Sequence, residues 1–112
     1  MASETFKRIA GPAYLAASAT DIYTPPASTI YTVIRHMHFA NVTGGAVTFT
    51  IYVGATGASA AGTQLFGAKS IAANDVYDWY GVLRMASTDF LVGLASAATS
   101  LTITVEGGQG VV

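Results

Sequence analysis

From Val47 to Val53 the chain alternates without a break, with Val47, Phe49, Ile51 and Val53 on one side and Thr48, Thr50 and Tyr52 on the other. A period of two is the spacing of a half-buried strand. Residues 101–106 repeat it, with Leu101, Ile103 and Val105 inward and Thr102, Thr104 and Glu106 outward. Runs rich in Thr, Val, Ile, Tyr and Phe at 6–10, 30–41, 65–71, 76–83 and 90–95 complete the set. Turn sequences separate them: VTGGA, AAND and ASTD. The pattern predicts an all-β fold, a single antiparallel β-sandwich or jelly-roll-like barrel of about seven to eight short strands.

The segments between the strands suggest three parts. Residues 1–22 read as an N-terminal arm with the first strand, 23–107 as the sandwich, and 108–112 as a flexible or partner-docked tail. Pro25 and Pro26 mark a connecting segment, because proline cannot donate to a sheet ladder. The small-residue loop at 54–63 is too poor in apolar groups to pack on itself.

The strand at 30–41 raises the chemical question. Alternation groups Val33, Met37 and Phe39 on the core side, with Arg35 among them, and Ile34, His36, His38 and Ala40 on the other. An arginine on a core face, near the rim of the sheet, is expected either to snorkel to water or to pair with an acid such as Asp78 or Asp89. His36 and His38 project from one face, as paired metal ligands do, yet a site needs at least three protein ligands. The residues just after them offer none, and only Asp75 or Asp78 from elsewhere in the chain would complete a set. The expectation is therefore no metal and no cofactor. On this reading the histidines lie on a Thr-lined outer surface, where contact with another subunit would make assembly sensitive to pH near 6.5.

Composition narrows the function classes. Charged residues are 10% of the 112, against about 25% in an ordinary soluble domain, while hydrophobic residues are 52%. A free monomer covers itself with charge; this chain would cover itself with Ala, Gly, Ser and Thr, which points to a surface buried by other subunits. The five basic residues are scattered, so no direct nucleic-acid contact is expected. No cysteine is present to form a disulfide or a thiol nucleophile. Residues 7–19 copy the outline of a secretion leader, but Gly11 and Pro12 break the apolar stretch. No run is long enough to cross a bilayer, so neither secretion nor a membrane is expected. No G-x-S-x-G elbow or phosphate loop occurs, so no catalytic residue is assigned. Asn41-Val42-Thr43 fits the short pattern of a glycosylation acceptor. Trp79, Tyr77 and Tyr80, with the 54–63 loop, are the candidates for a host-glycan platform.

The order of motifs resembles small β-sandwich virion proteins of tailed bacteriophages. The resemblance rests on Tyr23, Thr24 and Pro26 before a strand carrying Arg35, Met37, Phe39 and Asn41. It continues through the turn with Ile71, Ala73 and Asp75 and the late strand with Leu91, Leu94, Ala95 and Ser96. It implies a non-enzymatic virion structural protein, assembled as a homo-oligomer, with a trimer favoured. The leading expectation is a capsid decoration (cement) protein on the major capsid protein of a bacteriophage, built in the host cytoplasm during viral assembly. A tail or baseplate protein contacting other tail proteins is the alternative. Subunit contacts are expected at Phe6, Tyr14, His36, His38, Thr48, Thr50, Tyr52, Thr102 and Thr104.

Overall fold

The alternating runs form eight strands in the computed structural model, which describes residues 3–54 and 64–111. They are β1 (Ser3–Tyr14), β2 (Thr20–Tyr23), β3 (Thr29–Asn41), β4 (Val47–Gly54), β5 (Gln64–Ile71), β6 (Val76–Ala86), β7 (Phe90–Ala95) and β8 (Leu101–Val111). Two four-stranded sheets result, ordered β1-β8-β3-β6 and β2-β7-β4-β5, and every pairing is antiparallel. β1 pairs with β8, β2 with β7, β3 with β6 and β4 with β5. This is one long hairpin rolled up so that successive rungs fall in alternate sheets, which is the topology of a jelly roll. Among the described residues no helix is long and apolar enough to cross a membrane.

The inner faces of the two sheets meet in a core of Ile34, Met37, Phe39, Phe49, Ile51, Met85, Leu91, Ile103 and Val105, all buried. Phe39 and Phe49 stack with ring centroids 4.0 Å apart, and Phe66 and Tyr77 pack edge-on to each other at 5.9 Å beside them. Each buried aromatic or aliphatic side chain of this kind contributes about 1.5–3 kcal/mol by leaving water.

The faces of β3 differ from strict alternation. Ile34 pairs with Gly107 and His36 with Glu106, so β3 spends one residue more than β8 at this point. The extra residue is Arg35, at a β-bulge. Before it Thr32 and Ile34 point inward; after it Met37 and Phe39 do. Val33 is buried but lies outside the core cluster. Of the two outcomes expected for Arg35, the ion pair is not formed. The bulge turns Arg35 out to water, while Asp78 bonds the two histidines and Asp89 accepts from the Ala86 N–H.

Both ends of the chain also depart from expectation. Residues 3–14 are an edge strand of the sandwich rather than a free arm, running beside β8 from Ser3↔Val111 to Tyr14↔Thr102. Thr20–Tyr23 is a further strand, β2, paired with β7. Residues 108–111 of the expected tail belong to β8, lying between β1 and β3, while residue 112 lies outside the described residues. The glycines of β8 reflect close approach rather than freedom: a Cβ on Gly107 would stand 1.9 Å from the Val33 carbonyl oxygen. Gln109 then anchors the strand. Its Nε2 donates to Tyr23 Oη (2.6 Å) and Thr29 Oγ1 (3.1 Å), and Lys7 Nζ donates to its Oε1 (3.3 Å).

At the other end, Asn41 ties three segments together. Its buried side-chain amide donates to the carbonyls of Gly45, Ile71 and Ala72, and its Oδ1 accepts from the Thr43 N–H and hydroxyl. The glycosylation pattern at 41–43 is thus a turn-organising asparagine with no amide left for a sugar.

Candidate functional site

The outer face of the β1-β8-β3-β6 sheet gathers the polar chemistry of the molecule. Past the bulge, His36 and His38 sit two residues apart on β3 and project away from the core. Register then sets their neighbours. On β8, Glu106 lies opposite His36 and Thr104 opposite His38; on β6, Tyr80 lies opposite His36 and Asp78 opposite His38. Arg8 of β1 lies beyond Glu106. Side chains directly opposite on one face are about 5 Å apart at Cβ, and diagonal ones remain within reach of long side chains.

The result is a chain of four titratable groups crossing three strands. His36 Nδ1–H donates to Glu106 Oε1 (3.1 Å) and His36 Nε2–H to Asp78 Oδ1 (2.8 Å). The same Asp78 oxygen accepts from His38 Nδ1–H at 2.6 Å. With a carboxylate at each ring nitrogen, His36 is placed to carry two protons, and the bonds to Asp78 and then Glu106 raise its pKa against the opposing effect of burial. The His36 and His38 bonds hold the Asp78 carboxyl below its usual value. The Tyr80 ring stacks on His36 at 4.6 Å and 7°, covering one side of the imidazole.

Asp78 is therefore the third ligand-type group that the histidines lacked. His36, His38 and Asp78 offer ligand atoms all within 4.8 Å of one another. The sequence offers Asp75 and Asp78 alike, and it is the β3–β6 register, which brings residue 78 opposite residue 38, that selects Asp78. Asp75, the other candidate, instead caps its own turn by accepting from the Val76 N–H. Among the described residues the side-chain hydrogen bonds of both histidines run to Asp78 and Glu106.

The residues expected at subunit contacts divide between two surfaces. Phe6, Tyr14, His36, His38, Thr102 and Thr104 belong to the first sheet, where Phe6 and Tyr14 are exposed on β1. Thr48, Thr50 and Tyr52 belong to β4 of the second sheet. Thr50 is buried there, its hydroxyl accepting from the Ala68 N–H where β5 is irregular. Composition did not point to β6, which adds exposed Val76, Tyr80 and Val82; the last two are 72% and 70% exposed. The aromatic platform does not form. Tyr77 and Trp79 pack against the core while Tyr80 faces out, because alternate residues of β6 leave opposite faces. Of the 54–63 loop, residues 55–63 lie outside the described residues.

Comparison with known proteins bears on the fold alone. No protein-family model and no curated protein matches the chain. Among solved structures it is similar to a subunit of Bacillus endospore appendages, described as disulfide-linked pili, with 18% identity and a TM-score of 0.56. That match covers 100% of this chain and 91% of the other. It is also similar to a protein of the infectious bursal disease virus Gx strain, at 11% identity and TM-score 0.57, covering 99% of this chain and 33% of the other. The VP2 subviral particle of the same virus gives 12% identity, TM-score 0.51, and coverage of 98% and 32%. This chain thus spans about a third of the two virus chains. The shared property is the two-sheet β fold, found in these structures in capsid and pilus proteins.

Proposed function

We propose that the chain is a non-enzymatic structural subunit of a bacteriophage virion, a capsid decoration protein. It self-associates, as a trimer, and binds the major capsid protein. Assembly takes place in the bacterial cytoplasm, with no secretion, nucleic-acid or membrane step. The observation that carries the reading is the outer face of the first sheet. Phe6, Tyr14, Val76, Tyr80 and Val82 stand exposed there on a chain with only 10% charged residues. Exposed apolar groups clustered on one face mark a surface used for association. The likeness of the fold to solved structures of a pilus and of a virus also supports a structural role.

The test is sedimentation velocity of the purified chain beside Tyr80→Glu and Val82→Glu. Both substitutions lie on the surface, so each should keep the wild-type far-UV circular dichroism while lowering the oligomer to monomer. A wild-type chain that stays monomeric at high concentration overturns the reading. A tail or baseplate subunit is the second reading, favoured by the nearly full-length likeness to a pilus subunit, which has a filament for its assembly. Copy number per virion, by quantitative mass spectrometry, separates them: hundreds support the shell and tens or fewer support the tail.

A further inference from the structure

We propose that His36, His38 and Asp78 form a binding site for a divalent transition metal of the zinc type, with Glu106 positioning His36 as a ligand. The ligand atoms are His36 Nε2, His38 Nδ1 and an Asp78 carboxylate oxygen, which lie within 4.8 Å of one another. Two imidazoles and one carboxylate suit Zn²⁺, Co²⁺ and Ni²⁺ far better than the hard cations Mg²⁺ and Ca²⁺, which take oxygen ligands.

The second observation is the far side of His36. Histidines that bind metal donate their other ring N–H to a carboxylate or carbonyl, which fixes the tautomer and raises the basicity of the ligating nitrogen. Glu106 Oε1 holds His36 Nδ1 in this way, leaving Nε2 aimed at Asp78. Tyr80, stacked on the same ring, restricts its rotation. The three ligands come from two hydrogen-bonded strands, so the sheet itself sets their spacing.

The metal replaces protons. Asp78 Oδ1 stands 2.8 Å from His36 Nε2 and 2.6 Å from His38 Nδ1, each contact bridged by an N–H. A tetrahedral ion with bonds of about 2.0–2.1 Å needs its donors about 3.3 Å apart. Binding therefore requires the two bridging protons to leave, Asp78 to draw back by about 0.5–0.7 Å, and the two imidazole nitrogens, as much as 4.8 Å apart, to close toward that spacing by rotation of part-exposed side chains. One coordination position then remains for water on the solvent side.

The test uses the untagged full chain, stripped with EDTA and titrated with Co²⁺ by absorption spectroscopy and with Zn²⁺ by calorimetry. One ion per chain is expected, with the intense visible bands of four-coordinate Co²⁺. His38→Gln and Asp78→Asn should abolish binding, and Glu106→Gln should weaken it by about 10–100-fold. Mg²⁺ should not bind. Far-UV circular dichroism of each variant checks the fold, and imidazole ¹⁵N shifts of the wild-type chain on adding Zn²⁺ give a readout that needs no variant. The proposal is overturned if Zn²⁺ leaves those shifts unchanged at millimolar concentration. It is equally overturned if folded His38→Gln and Asp78→Asn chains bind as the wild type does, or if Mg²⁺ binds comparably.

Discussion

His36 and Asp78 are stabilised in opposite directions of pH. The folded chain favours protonated His36, whose pKa is raised above 6.5, so its contribution is complete below that value and is lost as pH rises through the folded pKa. Asp78 is held below 3.8, so its contribution is complete above that value and is lost as pH falls through its folded pKa. The two are jointly present between about pH 3.8 and 6.5. The Tm difference between wild type and His36→Gln, measured with EDTA present, should be largest in that window and shrink as the pH is raised further. A difference that does not vary with pH would show that the ring acts only through its stack on Tyr80. Asn41 makes a sharper case, since its amide serves three carbonyls at once. Asn41→Ala leaves buried carbonyls unpaired and should cost about 2–3 kcal/mol in urea denaturation.

At the scale of the element, the bulge in β3 decides what reaches the outer face. Strict alternation put Arg35 with the core and left its charge to be explained; one extra residue turns it to water and sets Ile34 inward. No residue type signals such a bulge in advance, which is why the faces beyond position 36 were legible in sequence and those before it were not. The strand at 47–54 was legible because its alternation and its turn agree, and that at 90–95 because a turn sequence precedes a short apolar run. The glycines of β8 misled for a physical reason. Gly107 serves the close approach of Val33, whereas composition alone makes a glycine-rich terminus look mobile. Gly107→Ala should therefore destabilise by about 1–3 kcal/mol through forced displacement of β3 from β8. Gly44→Ala, at a turn where a Cβ meets nothing within 4 Å, should be close to neutral by the same measurement. The metal-type cluster was half legible, because His36 and His38 declare themselves by spacing and Asp78 by register alone.

For the whole molecule, the pairing of β1 with β8 joins the two ends of the chain. Removing residues 108–112 tests this directly, because it takes away Gln109 and the part of β8 that lies between Ser3–Phe6 and the start of β3. A lower Tm and lost hydrogen-exchange protection at residues 3–6 are expected; an unchanged Tm would return this segment to the status of a tail. Closing so long a loop before its contacts form also makes for folding in milliseconds to seconds rather than microseconds. The same pairing has a mechanical meaning. Ser3 lies opposite Val111, so a tensile load applied at the two termini meets the β1–β8 hydrogen bonds end-on and peels them one rung at a time. A load applied across the faces of the sheets would instead be shared by many rungs together. The fold therefore resists force when it is held by its sides and yields when it is pulled by its ends.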